Sequence, residues 1–309
     1  MSDSASPVRH LPYITGVAGA LLIAFSAILV RFADVSPSTA AFYRCAYAVP
    51  PLALLAWRER VRYGPRPWAD RRLAWLAGVF FAADLVAWHH AIAAVGAGLA
   101  TVLGNTQVAI VGLAAWVFLH ERPQRSTILA VPVVLSGVVL ISGVIGEGAY
   151  GQNPVLGAVF GLLTALFYAA FLLILRSGNR DLRRPAGPLL DATAAGAVGC
   201  VLAGAVLGEI DLAPAWPSHG WLVVLALTSQ VLAWLLISVS LPRLPAATTS
   251  VVLTLQPVGS VFLGMALLDE APSVLQLVGV AIVIAGIVLA TLGRAPRLRR
   301  RQLDTAPAG

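Results

Sequence analysis

A succession of apolar runs, each long enough for one helix to cross a bilayer, constrains this 309-residue chain more than any other feature of its sequence. Short segments rich in arginine, proline and glycine separate the runs. Only 11% of the residues are charged, against about 25% in soluble domains, which excludes a soluble globular protein. The pattern predicts an all-α polytopic membrane protein with ten transmembrane helices. The predicted spans are residues 12–31, 37–57, 72–94, 98–119, 125–145, 155–175, 187–208, 219–241, 245–268 and 273–293.

All 21 basic residues are arginine, and their placement predicts how the helices are oriented. If the N-terminus is cytoplasmic, 19 of them lie on the cytoplasmic side, and the two exceptions are Arg31 in an outer segment and Arg44 within the second span. Because basic residues concentrate in cytoplasmic loops, we expect both termini in the cytoplasm. The same rule explains the arginines better than a nucleic-acid surface does, so no nucleic-acid partner is expected.

An internal repeat relates the two parts of the chain. The fourth and ninth spans align at an offset of 149 residues, and the third and eighth at an offset of 146. Each part then contains five spans, and because five is odd the second must enter the membrane in the opposite sense. Such inverted repeats are typical of alternating-access transporters, which bind substrate near the midplane. The matching positions are Gln107 and Gln256, Glu121 and Glu270, Pro123 and Pro272, Gly137 and Gly286, Trp75 and Trp221, Asp84 and Gln230, and Trp88 and Trp234.

Two short motifs and two glycine-rich spans give the chain a family resemblance. Glu121-Arg122-Pro123 and Glu270-Ala271-Pro272 follow the fourth and ninth spans, and glycines recur in 134–143 and 283–293. With its ten spans, the chain resembles the EamA family of the drug/metabolite transporter superfamily. The resemblance implies proton-linked or facilitated export of amino acids or other small metabolites across a bacterial inner membrane. Small multidrug exporters of that superfamily carry a glutamate in their first span, but here 12–31 and 155–175 contain no carboxylate.

The repeat and the resemblance together predict the organisation of the chain. We expect a lipid bilayer and a small-molecule substrate as its partners, and the oligomeric state stays open. The predicted segments are a cytoplasmic N-terminus at 1–11, a first EamA-like five-helix repeat at 12–145, a second at 155–293 and a cytoplasmic arginine-rich tail at 294–309.

Two charged residues in the predicted spans are candidates for the substrate site. Asp84 is the carboxylate nearest the centre of the bilayer, and Arg44 is the arginine deepest within a span. An ionised group in the bilayer is costly, so Asp84 should be protonated or paired, with Arg44 as its natural partner. Trp88 lies one turn along from Asp84 and offers an aromatic wall. Three roles stay open for Asp84: a proton carrier, a ligand for a substrate amino group while Arg44 binds a carboxylate, or a fixed pair with Arg44 that only orients two helices.

The glutamines of the fourth and ninth spans are further candidates. Burying an amide in lipid without partners costs several kcal/mol, so Gln107 and Gln256 should point inward, either lining the cavity or bonding to neighbouring helices. Asn105 and Thr254 lie two residues away, about 200° around the helix, and we expect them to pack helices.

Three more residues complete the predicted substrate site. Gln230 and Trp234 are the repeat equivalents of Asp84 and Trp88. Tyr168 lies in the middle of the sixth span, where it either presents its hydroxyl to the cavity or packs against apolar neighbours.

Neither the cysteines nor the histidines of the spans have the spacing of a metal site. Cys45 and Cys200 lie in separate apolar runs, and the adjacent His89 and His90 cannot both ligate one metal from a regular helix. No metal, cofactor or catalytic residue is therefore predicted.

Charged residues at span ends are expected to have structural roles. Glu121 and Glu270 are predicted to place negative charge at the positive end of the helix that follows each of them. His120 and His219 are expected to be solvated.

The remaining function classes are weaker. A chain without lysine has no Walker lysine, and it contains neither HExxH nor GxSxG, so an enzyme is not expected. A passive channel or membrane scaffold stays open beside the transporter.

Overall fold

The computed structural model of the protein describes residues 11–111, 125–178, 181, 183–240 and 246–292. Within these ranges all regular secondary structure is helical, which confirms the predicted all-α class. The elements are α1 (Leu11–Ala24), α2 (Ser26–Ala33), α3 (Pro37–Ala46), α4 (Val49–Tyr63), α5 (Trp68–Val95), α6 (Ala97–Asn105), α7 (Arg125–Ile141), α8 (Pro154–Gly178), α9 (Ala186–Leu207), α10 (Ser218–Leu225), the π-helical segment π1 (Ala226–Ala233), α11 (Trp234–Ser240), α12 (Ala246–Leu267) and α13 (Val274–Leu292).

Five helices of the described chain are long and apolar enough to cross a membrane, whereas the sequence predicts ten spans. The other predicted spans are shorter or interrupted. Helix α7, for example, has 17 residues, and at 1.5 Å per residue it covers about 25 Å of a bilayer core that is about 30 Å thick. Ten crossings therefore remain a prediction. The five long helices are Leu11–Ala33, Trp68–Val95, Pro154–Gly178, Ala186–Leu207 and Ser218–Ser240.

The second predicted span shows how an apolar run can end before its helix does. The run stops near residue 57, but α4 continues through three arginines to Tyr63 and ends at Gly64. Gly64 has a φ of +80°, a backbone conformation that glycine adopts without strain. Because arginine is a good helix former, charge ends the apolar run but not the helix. The fourth predicted span, 98–119, is described only as far as residue 111.

The break between α3 and α4 is set by two prolines. Pro50 and Pro51 lack the amide hydrogens that would bond to the carbonyl groups of Ala46 and Tyr47, so the helix is interrupted there. Arg44 consequently lies in the last turn of α3 rather than in the middle of a continuous helix.

Helices α7 and α13, the fifth and tenth predicted spans, run antiparallel to each other. At one end the Thr127 hydroxyl donates to the Ala290 carbonyl oxygen at 3.5 Å. At the other end the amide of Gln276 donates to the Ile141 carbonyl oxygen at 3.1 Å. The beginning of each helix therefore lies beside the end of the other, which is the relation that an inverted repeat requires of equivalent helices.

The two parts of the chain also exchange packing partners. Helix α1 packs against α11 and α12, and helix α8 packs against α5 and α6. These are the equivalent contacts if spans one and six, three and eight, and four and nine correspond. The exchange brings the polar positions of both parts to a common centre.

Candidate functional site

A cavity of about 70 Å³, lined by both polar and apolar side chains, lies between helices from the two parts of the chain. At about 10–15 Å³ for each water molecule, it holds roughly five waters. Six of the eight site residues predicted from the sequence line it, namely Arg44, Asp84, Trp88, Tyr168, Trp234 and Gln256. The other lining residues are Ile23, Ser26, Phe81, Leu85, Thr101, Gly104, Asn105 and Thr164.

Arg44 is the buried cation of the cavity, with only 5% of its surface exposed. Its Nε donates to Gln230 Oε1 at 3.1 Å, and the Gln230 amide donates in turn to the Thr193 hydroxyl at 3.1 Å. The guanidinium also lies 5.5 Å from the centre of the Trp88 ring, close enough for a cation–π interaction. Gln230 is fully buried behind the cavity and positions the arginine.

Asp84 lines the same cavity and is 6% exposed. Of the two alternatives predicted for Asp84, the direct pair with Arg44 is absent, because no nitrogen of Arg44 lies within 4.0 Å of a carboxylate oxygen in the described part of the chain. The protonated alternative stays a prediction. Gln230, the repeat equivalent of Asp84, bonds to Arg44 instead. The cavity thus presents a cation and a carboxyl group that do not neutralise each other by direct contact.

Aromatic rings form one wall of the cavity. The indole of Trp234 stands edge-on to Tyr168, with 6.0 Å between the ring centres, and edge-on to Phe171 at 5.5 Å. The indole Nε1 of Trp234 is buried and has no hydrogen-bond partner in the described part of the chain.

Thr164 is a lining residue that the sequence analysis missed. It lies four residues before Tyr168 on α8, and its buried hydroxyl has no partner among the described residues. The sequence could have indicated Thr164, because it is the single threonine of the apolar run 155–175 and lies one turn from Tyr168, and residues four apart share a helix face. Together with Trp234, Thr164 gives the cavity two unused polar groups.

The two predicted glutamines do not have equivalent positions. Gln256 lines the cavity, but Gln107 is buried outside its lining. Asn105, expected only to pack helices, lines the cavity instead, and its side chain donates to the Thr101 carbonyl oxygen at 2.8 Å. Helix α6 ends at Asn105 and Gln107 follows the turn at Thr106, so the two side chains do not lie on one regular helix as the spacing predicts.

The structure places Glu270 at a helix start, as predicted, but at a different helix. Its carboxylate accepts from the backbone nitrogens of Ala97 and Gly98 at 2.5 and 3.0 Å, and so caps α6 rather than the α13 that follows it. Glu121 and His120 lie outside the described residues.

His219, expected to be solvated, is half-buried and hydrogen-bonded to the Tyr47 hydroxyl at 2.6 Å. His90 contacts the Val86 carbonyl oxygen at 2.8 Å and a Glu209 carboxylate oxygen at 3.1 Å. These contacts lie at the end of the bundle opposite the arginine-rich loops.

Cys45 and Cys200 are buried free thiols. No group of three or more metal-ligating side chains occurs among the residues that the structure describes.

Long apolar helices that surround a small buried cavity define the protein as a multi-pass helical membrane protein. The chain belongs to the EamA-like transporter family, whose model matches residues 10–143 and, a second time, residues 155–292. The resemblance found in the glutamate–proline motifs is thereby confirmed.

Known structures share the fold. One crystal structure, described only as that of a protein, superposes with a TM-score of 0.60 over 95% of this chain and 99% of its own, at 16% sequence identity. No curated protein sequence matches the chain.

Proposed function

We propose that the protein is a secondary transporter that exports small metabolites such as amino acids by alternating access. The observation that carries this proposal is that the buried Arg44 guanidinium and the buried carboxyl group of Asp84 line one cavity without a direct ion pair between them. Ionisable groups inside a membrane protein are costly and are kept where they bind substrates or ions. A zwitterion entering the cavity would bring a carboxylate to Arg44 and an ammonium group to Asp84.

In this proposal each charged group has a defined role. The guanidinium of Arg44 binds the substrate carboxylate, because its Nε is held by Gln230 while its terminal nitrogens remain for a bidentate contact. Asp84 binds the amino group. Trp88, Trp234 and Tyr168 surround an apolar part of the substrate, and Gln256 and Thr164 supply polar contacts.

Proton coupling is the second part of the proposal and concerns the same carboxyl group. As the two halves rock, Asp84 exchanges a proton for the substrate amino group, so that export is driven by the inward proton gradient. Replacing Asp84 with Asn tests this role.

The proposed topology has ten spans in two inverted five-helix repeats, 12–145 and 155–293, in the bacterial inner membrane. Both termini are cytoplasmic, which places the loop that follows α4 and the loop around residue 183 inside. Support comes from the distribution of arginines and from the antiparallel packing of α7 and α13. Single cysteines beside Arg62 and Arg183, in a chain without the two native thiols, should react with an impermeant reagent only from the cytoplasmic side. Labelling from outside would overturn the topology.

Counterflow in proteoliposomes tests the transport mechanism. Vesicles loaded with an unlabelled mixture of amino acids should accumulate individual labelled amino acids, because exchange stimulated by substrate on the far side requires alternating access. A passive channel or a scaffold would show no such stimulation. Metabolite profiling of the medium of overexpressing and deleted cells selects the amino acids to label, and unchanged profiles would count against export.

Arg44 provides the sharpest variant for this assay. Arg44→Lys keeps the positive charge but loses the planar guanidinium that binds a carboxylate through two hydrogen bonds, and Arg44→Gln loses both. Counterflow should therefore be slower in the Arg44→Lys variant and absent in the Arg44→Gln variant. Arg62→Gln, which removes a charge from an exposed position, is the matched control and should transport like the wild type. Transport by Arg44→Gln at the wild-type rate would contradict the proposed carboxylate site.

A further inference from the structure

A second cavity, of about 300 Å³, lies at the arginine-rich end of the bundle, between the end of α4, the segment after it and the start of α9. Its charged lining residues are four arginines and two carboxylates: Arg60, Arg66, Arg71, Arg184, Glu59 and Asp191. The arginines exceed the carboxylates by two. A cleft lined mainly by one sign of charge attracts ions of the other sign.

One of the two carboxylates is engaged by the backbone. Glu59 accepts from the nitrogens of Ala186 and Gly187, at 2.9 and 2.8 Å, and so caps the first turn of α9. Its negative charge therefore complements the positive end of that helix rather than an arginine of the cavity.

Arg184 has a carboxylate partner outside the cavity lining. Its Nε lies 3.0 Å from Asp181, which also accepts from Arg183 at 2.9 Å. The hydrogen bonds from Arg183 hold the pKa of Asp181 well below its ordinary value, so that Asp181 is ionised at neutral pH. Arg184 thus has a carboxylate partner outside the cavity, and of the carboxylates that line the cavity only Asp191 forms ion pairs with the other arginines.

Asp191 is shared by two of these arginines. Arg66 Nη1 donates to it at 2.7 Å, and Nε and Nη2 of Arg71 donate to its two oxygens at 3.4 Å. Arg66 is 13% exposed at its side chain, and its buried Nη2 has no partner among the described residues. No described carboxylate lies within 4.0 Å of Arg60. The cavity therefore holds guanidinium donors that lack an anion.

The rest of the cavity lining is mainly apolar and includes an exposed tryptophan. Ala53, Ala56 and Leu190 form its apolar wall, and Trp57, which is 61% exposed, stands at its rim. Tryptophan concentrates at the level of the lipid headgroups. A ligand that complements both the arginines and the apolar wall has an anionic group attached to an apolar chain.

We propose that this cavity binds the phosphate of an anionic phospholipid headgroup, with Arg60, Arg66 and Arg71 as its ligands. Basic pockets between transmembrane helices on the cytoplasmic side recognise lipid phosphates in this way. Inorganic phosphate would bind to the same arginines as a lipid phosphate but would leave the apolar wall and Trp57 without a contact. The phosphate of a zwitterionic lipid brings a choline cation that the surplus arginines repel.

Native mass spectrometry of the intact protein in detergent tests the site with three probes: dioleoyl-phosphatidylglycerol, dioleoyl-phosphatidylcholine and inorganic phosphate. We expect one phosphatidylglycerol molecule to bind in preference to phosphatidylcholine. Arg60→Gln and Arg71→Gln should each weaken its binding about fivefold, which corresponds to about 1 kcal/mol for each arginine. Arg66 is left unchanged because it makes the shortest contact with Asp191, at 2.7 Å. Circular dichroism verifies that the variants are folded.

Arg58→Gln is the matched control, because Arg58 is exposed on the same helix end but does not line the cavity. It should bind phosphatidylglycerol like the wild type. An equal loss in Arg58→Gln, or no loss in Arg60→Gln and Arg71→Gln, would overturn the site. Binding of inorganic phosphate without a preference for the lipid would overturn the lipid assignment. None of these measurements depends on transport, so the result stands apart from the proposed export function.

Discussion

The unpartnered hydroxyl of Thr164 allows a prediction in which stability and function change in opposite directions. Thr164 is 3% exposed, and its hydroxyl has no hydrogen-bond partner in the described part of the chain. Valine has nearly the same shape without the hydroxyl. Thr164→Val should therefore stabilise the substrate-free protein and weaken substrate binding.

Both magnitudes follow from the burial of the hydroxyl. A buried polar group without a partner costs about 1–3 kcal/mol, so the free energy of unfolding should rise by up to that amount. A hydrogen bond to substrate contributes about 0.5–1.5 kcal/mol, so its loss should lower substrate affinity roughly 2- to 12-fold. The first quantity is measured by denaturant unfolding in micelles, and the second by the substrate concentration that gives half-maximal counterflow.

Thr101 provides the matched control in the same cavity. Its hydroxyl already donates to the Ala97 carbonyl oxygen at 2.9 Å. Thr101→Val therefore removes an existing hydrogen bond within the protein and takes away no hydroxyl that is free to bond to substrate. It should lower stability by about 0.5–1.5 kcal/mol and leave substrate affinity unchanged. If Thr164→Val instead lowered stability and left substrate affinity unchanged, the Thr164 hydroxyl would not form a hydrogen bond with substrate.

Three further substitutions test other parts of the structure. Asp84→Asn should abolish the pH dependence of transport while circular dichroism shows an unchanged fold, and wild-type pH dependence would leave Asp84 no role in coupling. Glu270→Gln should destabilise the protein by about 1 kcal/mol in denaturant unfolding, because it weakens a charged cap at the start of α6, and unchanged stability would remove that role. Gly137→Ala would place a Cβ atom 2.7 Å from the Gly279 carbonyl oxygen, so α7 and α13 must separate. This overpacking should cost about 1–3 kcal/mol, and a variant as stable as the wild type would show that the two helices are not tightly packed.

The sequence alone determined the class of the protein, because the hydrophobic thickness of a bilayer imposes a length and a composition on each helix. The apolar runs predicted the helices closely where these are described, and the paired glutamate and proline motifs predicted the family. Depth within the membrane can also be counted along a span, and Arg44, Asp84 and Trp88, which the sequence selected together, line one cavity.

Rotation about the helix axes was decided only by the tertiary structure. Asn105 ends α6 and Gln107 lies beyond the turn at Thr106, and the sequence does not say which of the two faces the cavity, since packing against neighbouring helices decides that. The hydrogen-bond partner of Arg44 also depended on how the helices are rotated. Asp84 and Gln230 are repeat equivalents, and Arg44 donates to the neutral Gln230.

Contacts between distant parts of the chain are the other property that needed the fold. Gln230 lies in π1, whose wider turns shift side chains from the positions that a regular α-helix predicts. Glu270 caps a helix that begins 173 residues earlier in the chain. The apolar pattern of a sequence shows where a helix is and that lipid or protein surrounds it, but not which other helix packs against it. The partners of Gln230 and Glu270 were therefore decided by the packing of the two halves.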